Sequence, residues 1–335
     1  MTRFRLILSL LATLSLNLSA HGEAIGISHR GLTRAAPENT IPAFTAAHGL
    51  ADMIESDVRV SADGYLVVMH DATVDRTTDG TGLVSNLTLQ TLRSLDAGSW
   101  YSNIFTGVQI PTFAEMITNI LPRATPLIEH KTGSAAAYVS ALQELGVTTR
   151  VMLQSFDWSF LRTVNGLDSS IPLCALGNGL ITTDKLAGVI RSGAGTVAWE
   201  KTAVNPDSVQ LVHSMGLKLF VWTLARGEVA AFITMGVDGV ITDSPDYAIE
   251  LQQPEPALEI TAMRTAMTNP SHVEIDVLAR GIVSSVDLQH ADAVGGHFQT
   301  DPHAHPDAEG RDRFRVRIPA DDATNRVIRV QTPQP

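Results

Sequence analysis

One cysteine, Cys174, is all the thiol that this 335-residue chain contains. That excludes an intramolecular disulfide and a cysteine-rich zinc site. Cys174 sits inside the apolar run Ile171–Ala175 and reads as a small buried hydrophobe. Cations are scarce as well: 24 Lys and Arg face 35 Asp and Glu, for a formal charge of −11. A broad basic surface that neutralises nucleic-acid phosphates is thereby excluded. The apolar run Leu6–Leu18 is too short to span a bilayer. It follows Arg3 and Arg5 and leads into Ser19, Ala20, Gly22 and Ala24, the pattern of a cleaved export signal over residues 1–24. The expected location is periplasmic or secreted, with no stable membrane span after cleavage.

What the chain does have is enough apolar residue, 44%, for a full core. Short apolar runs recur at Ile25–His29, Met53–Asp57, Leu66–His70, Pro126–Glu129, Val151–Gln154, Ile171–Ala175, Thr196–Trp199, Leu217–Trp222 and Gly239–Thr242, and read as strands. Between most of them apolar residues recur at helical spacing: Ile41–Gly49, Thr112–Leu121, Ala135–Leu145, Trp158–Val164, Thr183–Ser192, Asp207–Met215 and Glu228–Met235. Strand and helix in alternation imply a parallel sheet. The expected fold is a TIM-type (β/α)8 barrel over residues 25–252, with an inserted segment after the third strand at 71–125. Nine runs are one too many for eight staves. Asp57 to Leu66 is too short for a parallel crossover, and Asp63-Gly64 marks a turn. One of the two runs flanking it is therefore a hairpin arm, and the pattern does not choose between them. The inserted segment is too long for a plain loop and is expected to have structure of its own and to act as a lid.

After the Pro-punctuated stretch Gln252–Pro256 the helical period disappears. Val273–Val277, Val283–Leu288, Arg313–Ile318 and Arg326–Val330 alternate as strands do, so residues 257–335 are expected to form a small all-β, sandwich-like accessory module. Such a module is expected either to contact glycan, cell wall or another protein or simply to pack on the barrel. His303-x-His305 within it has metal-ligand spacing, but the prolines and glycine around it read as a surface loop.

In a β/α barrel the carboxy-terminal strand ends converge on one mouth. That places His29, Arg30, Glu55, Asp57, His70, Glu129, Lys131, Gln154 and Trp222 together. Glu55 and Asp57 are two apart on a strand and share a face, as do Glu129 and Lys131, with His130 on the other side. Three converging carboxylates repel, and a hard divalent cation, Ca²⁺ or Mg²⁺, resolves the repulsion with oxygen ligands. Arg30 and Lys131 are then free to hold an anion. The residues alone thus point to metal-assisted phosphate chemistry.

The ordered motifs resemble those of the glycerophosphodiester phosphodiesterases. They are Ser28-His-Arg-Gly31, Pro37-Glu-Asn-Thr40, Glu55-Ser-Asp57-Val58, Asp63-Gly64, His70-Asp71 and Asp75-Arg-Thr-Thr-Asp-Gly-Thr-Gly82. Ile110-Pro-Thr-Phe113, Glu129-His-Lys131, Gln154-Ser-Phe-Asp157, Val221-Trp-Thr223 and Gly236–Asp243 complete the set. The resemblance covers about residues 25–251. It implies one divalent cation held by Glu55, Asp57 and Glu129, with His29 and His70 as general acid and base. It also implies phosphate binding by Arg30 and Lys131, support from Glu38 through Arg30, and Trp222 against the glycerol end. The implied reaction releases sn-glycerol 3-phosphate and an alcohol such as choline or ethanolamine, by attack of either water or the glycerol 2-hydroxyl. This sequence departs from the family pattern at His130, expected to pack away from the mouth, and at Leu224-Ala225, which removes a polar contact near the substrate. Two other readings use the same barrel. A sphingomyelinase D-like phospholipase lacks the Pro-Glu-Asn-Thr and Arg-Thr-Thr-Asp-Gly elements found here. A catalytically silent binding protein does not need every catalytic position filled, as they are here.

Overall fold

The computed structural model describes residues 24–251 and, beyond them, only the backbone of short strands. The export signal expected over residues 1–24 lies, up to residue 23, outside the described residues. The chain divides into two compact units, one spanning residues 19–252 and the other including 253–335.

The first unit opens with β1 (Ile25–Ser28), α1 (Ile41–Ala46), β2 (Met53–Val60) and β3 (Leu66–Val68). Then come α2 (Leu89–Arg93), α3 (Phe113–Ile120), β4 (Thr125–His130), α4 (Ala135–Glu144), β5 (Met152–Ser155) and α5 (Trp158–Leu167). It closes with β6 (Leu173–Gly177), α6 (Thr183–Arg191), β7 (Thr196–Glu200), α7 (Pro206–Ser214), β8 (Lys218–Leu224), α8 (Arg226–Met235), β9 (Gly239–Thr242) and α9 (Pro245–Glu250). The nine strands form one sheet in the order β1-β9-β8-β7-β6-β5-β4-β2-β3, and β1 also pairs with β2. That last pairing closes a parallel eight-stranded barrel and leaves β3 outside it. Strands buried on both faces need continuous apolar runs, and β6, buried throughout, is one.

β3 is the hairpin arm: it pairs antiparallel with β2, Val58 opposite Val68 and Val60 opposite Leu66. Gly64 makes the turn at φ 88°. β2 runs past the expected Asp57 to Val60 because its last three residues pair with β3 in the hairpin, Val58 pairing with β4 as well. His70 therefore does not end a stave. It lies two residues beyond β3, where Met69 N–H donates to the Asp57 carbonyl (2.9 Å) and the Arg59 guanidinium donates to the His70 carbonyl (2.7 and 2.9 Å).

The inserted segment packs Val74, Val84, Leu92, Ala97 and Ile110 into a small cluster with Val67 and Met69 of the hairpin arm. It contributes α2, which the periodicity did not predict, as it did not predict α9. Helix starts elsewhere are set by side-chain caps: Thr112 and Glu115 form a capping box on α3, and Asp157 accepts from the Ser159 and Phe160 amides on α5.

Side-chain alternation sorts the core into two layers. Ile27, Met53, Leu127, Cys174, Leu176, Ala198, Phe220 and Ile241 fill the barrel interior. The opposite strand faces pack against the helices in a larger cluster that includes Ile54, Ile128, Leu153, Val197 and Trp199. Cys174 is fully buried, and burial pushes its thiol far up, as a structural cysteine requires. Packing is tight enough to exclude single methyl groups. A Cβ on Gly177 would stand 2.3 Å from the Trp199 ring, whose indole N–H is held by the Gly179 carbonyl at 2.6 Å. Gly177→Ala is expected to destabilise the unit by about 1–3 kcal/mol through overpacking. Thermal unfolding checks this, and an unchanged midpoint would show that the ring yields.

In the second unit, Leu258–Thr265, His272–Ala279, His305–Ala308 and Arg313–Pro319 pair antiparallel in one sheet. Asp287–Ala291, Gln299–Thr300 and Val327–Gln331 do so in another. The side chains there, including His303 and His305, lie outside the described residues.

Candidate active site

Alternation along each stave also builds the site. On β2, Met53 lies in the apolar barrel interior, and Glu55 and Asp57 follow at two-residue steps on the same face. On β4 the same file reads Leu127 and Glu129 and continues to Lys131 just past the strand; on β8 it reads Phe220, Trp222. The charged layer is thus the continuation of the apolar interior toward the carboxy-terminal mouth. Register sets its lateral order: Asp57 stands opposite Glu129 on β4, and Glu129 opposite Gln154 on β5. All the predicted site residues except Asp57 and Glu38 line one cavity of about 230 Å³. Asp57 is buried beneath it, and Glu38 lies to one side behind Arg30. A roomier depression of about 580 Å³ lies at the other end of the barrel, against Asp52, Arg123 and Arg150, without a comparable cluster of acids.

Glu55, Asp57 and Glu129 are all buried, and ligand oxygens of the three lie within 4.8 Å of one another. Burial and the charges of Asp57 and Glu129 push the Glu55 carboxyl well above its usual value. Burial and Asp57 push Glu129 up to about 7, against the pull of Lys131. Burial opposes ionisation of Asp57 too, but Lys131, His70, Arg30 and Asn39 outweigh it and keep that carboxyl below its usual range. Fully ionised, the three carboxylates would carry one charge more than Arg30 and Lys131 balance, and the raised Glu55 and Glu129 carboxyls reflect that crowding. The trio's donors are all hard oxygens, and Gln154 adds a buried Oε1 with no hydrogen-bond partner beside Glu55. A hard divalent cation fits this donor set, and the three carboxylates would hold it.

Protons and such a cation compete for the same oxygens. Apparent cation affinity is expected to rise between pH 5.5 and pH 8, because the raised carboxyls must give up their protons on binding. Calorimetry at several pH values in two buffers checks this, and a pH-independent affinity without proton release would sink it.

The two cations are held in different ways. Lys131 Nζ contacts Asp57 Oδ1 at 3.1 Å and also bonds Glu129. Arg30 follows β1 in a left-handed conformation, φ 55°, with Gly31 next at φ 80°. A Cβ on Gly31 would fall 2.7 Å from the Ala43 backbone, so the turn requires glycine there. The strained turn aims the Arg30 amide at Glu55 Oε2 (2.9 Å) and its guanidinium at Glu38 Oε1 (3.0 Å). Glu38 therefore meets Arg30 directly.

Each histidine has its Nδ1 against a carboxylate. His29 Nδ1 lies 3.0 Å from Asp243 Oδ1, to which Thr33 also donates at 3.2 Å. His70 Nδ1 lies 2.7 Å from Asp71 Oδ1, and burial lowers the His70 pKa below the usual value for a histidine. In both, Nε2 is the nitrogen left for a substrate. Trp222 is fixed by its indole N–H to the Ala198 carbonyl (2.9 Å) and meets Phe156 edge-on at 5.7 Å. With Leu176 and Ile241 they make the apolar wall of the cavity. His130 points outward, stacked on Phe160 at 3.6 Å, the packing role expected of it.

Sequence reading did not single out Asn39, Asp243, Phe156 or Arg76. Asn39, also left-handed at φ 57°, donates to Asp57 Oδ2 (2.8 Å) and accepts from the Asp57 amide (3.1 Å). Its signal was its place in Pro37-Glu-Asn-Thr40, one residue after Glu38. Asp243 closes the Gly236–Asp243 motif, and Arg76 lies within Asp75–Gly82.

Residues 29–247 match the model of the glycerophosphoryl diester phosphodiesterase family. A glycerophosphodiester phosphodiesterase from Caldanaerobacter subterraneus subsp. tengcongensis is 37% identical over 235 residues, covering 67% of this chain and 96% of that protein. One from Bacillus subtilis is 31% identical over 254 residues, covering 69% of this chain and 87% of the relative. An Oleispira antarctica phosphodiesterase, solved with the product sn-glycerol-3-phosphate, superposes with a TM-score of 0.63 at 25% identity, over 68% of this chain and 96% of that one. An Agrobacterium tumefaciens glycerophosphodiester phosphodiesterase does so with a TM-score of 0.61 at 28% identity, over 68% and 99%.

Proposed function

Because the chain belongs to the glycerophosphoryl diester phosphodiesterase family and is a phosphoric diester hydrolase of that kind, we propose that it cleaves glycerophosphocholine, glycerophosphoethanolamine and similar diesters to sn-glycerol 3-phosphate and an alcohol. The observation that carries this reading is the convergence of three buried carboxylates with Arg30 and Lys131, between two carboxylate-backed histidines.

Glu55, Asp57 and Glu129 would hold one divalent cation, Ca²⁺ or Mg²⁺. When bound, such an ion supplies Lewis-acid stabilisation of charge on the phosphoryl oxygens. Arg30 and Lys131 grip those oxygens as charge builds on them. Of His29 and His70, one takes the proton of the attacking oxygen through Nε2 and the other gives a proton to the leaving alkoxide. Asp243 and Asp71 hold the two rings in the tautomer that this requires. Glu38 steadies Arg30, and Gln154 borders Glu55. Trp222, with Phe156, forms the face against which the glycerol carbons lie. Export to the periplasm or beyond and an accessory sandwich-like module over 257–335 complete the proposal.

The test is a panel of glycerophosphodiesters with Ca²⁺, Mg²⁺ or EDTA, read as alcohol and glycerol 3-phosphate released. Turnover that EDTA removes and metal restores is expected. No release with any metal would leave a binding protein, and release from sphingomyelin or lysophosphatidylcholine alone would leave a lipid-directed enzyme.

A further inference from the structure

Arg76 is carried by the inserted segment and is no part of the barrel, yet its guanidinium closes a chain of ion pairs across the mouth. One edge forks onto Asp71: Nε to Oδ2 at 2.7 Å and Nη2 to Oδ1 at 3.1 Å. The other edge forks onto Glu38: Nη1 to Oε2 at 2.8 Å and Nη2 to Oε1 at 2.7 Å. Asp71 Oδ1 is the oxygen that meets His70 Nδ1, and Glu38 Oε1 is the one that accepts from Arg30 Nη1. The Arg76 backbone is anchored on both sides. Val74 and Thr77 are buried, Thr78 donates to the Val74 carbonyl (2.7 Å), and Asp75 accepts from the Gly82 amide (3.0 Å).

A planar guanidinium with donors on both edges can make two-oxygen forks onto two carboxylates at once; an ammonium, with three donors on one atom, can bond both but cannot make both forks. Without it, Asp71 and Glu38 would face each other across the gap as like charges. Arg76 is also the strongest influence lowering the Asp71 carboxyl, and the strongest of those lowering Glu38 against its burial.

We infer that Arg76 is a positioning residue that sets the His70 ring and the Arg30 guanidinium together, so that proton transfer and phosphate grip are aligned by one side chain of the inserted segment. The inference rests on the proposed reaction for the roles of His70 and Arg30, not for the bridge itself. It assigns a different kinetic consequence to each link. The Glu38 link acts through Arg30 and belongs to substrate binding; the Asp71 link acts through His70 and belongs to turnover.

The experiment compares steady-state kinetics of Glu38→Gln, Asp71→Asn, Arg76→Ala and Arg76→Lys in the full chain with metal present. Glu38→Gln is expected to raise KM about tenfold with kcat little changed, and Asp71→Asn to lower kcat about tenfold with KM little changed. Arg76→Ala does both, and adds little when combined with either, because residues acting as one unit are not additive. Millimolar guanidinium chloride partly restores Arg76→Ala. Arg76→Lys keeps the charge, loses a fork and stays impaired. Cation affinity of all four variants matches that of the parent. A change in only one parameter for Arg76→Ala, full additivity, or an Arg76→Lys equal to the parent would overturn the bridge. If the parent protein turns over no diester, the proposed function fails on its own. The bridge is then read from calorimetric binding of sn-glycerol 3-phosphate: weaker binding to Arg76→Ala supports it, and equal affinity overturns it.

Discussion

Glu55→Gln is expected to lower kcat by about a thousandfold or more while the folded chain becomes no less stable. The two halves of that result have one cause. Glu55 is buried beside Asp57 and Glu129, and burial with those two charges holds its carboxyl well above the usual value. Glutamine keeps the shape, removes a like charge from the cluster, and still accepts the Arg30 amide. In EDTA the variant should therefore melt at the parent temperature or above it. The stabilisation that Ca²⁺ or Mg²⁺ gives the parent by mass action should shrink or vanish. Differential scanning fluorimetry with and without metal, beside an activity assay, reads both. Near-normal kcat would remove Glu55 from the cation site, and collapse of the fold would show that its charge was needed for structure.

His29→Ala and His70→Ala are each expected to lower kcat by about 10²–10⁴-fold, the usual worth of a positioned proton donor or acceptor. The double variant should be little worse than the poorer single one. Neither histidine touches the carboxylate trio by hydrogen bond, so cation affinity should persist in both. A diester of p-nitrophenol separates the roles, because its leaving group needs no proton. It should restore turnover in whichever variant lacks the acid and leave the variant lacking the base slow. Rescue of both, or of neither, would overturn a division of labour between the two rings.

Much of this arrangement was legible before any coordinates, and for a definite reason. A side-chain period of two makes Glu55 and Asp57, or Glu129 and Lys131, share a face wherever the strand lies. The rule that stave ends converge then brings them together. The identity of the hairpin arm was not legible. Short apolar runs look alike in parallel and antiparallel strands, and Asp63-Gly64 says that a turn occurs without saying which arm leaves the barrel. His70 was accordingly assigned to a stave end that it does not occupy. The helices α2 and α9, five and six residues long, were too short to show a period of 3.6. Asp243 and Arg76 act on partners 214 and 38 positions away, and a single polar residue in a loop advertises no such partner.

The apolar interior beneath the charged layer has a consequence for traffic. Ile27, Met53, Leu127, Leu176, Phe220 and Ile241 stop the barrel below Glu55 and Glu129, so the cavity is a well with one opening. On the proposed reaction, ion, water, diester and both products would share that opening and would have to queue. In that reaction a product held by Arg30 and Lys131 would stand over the carboxylates, and a cation held there would exchange only after the product's departure. The order in which such a site would empty follows from which strand residues are apolar.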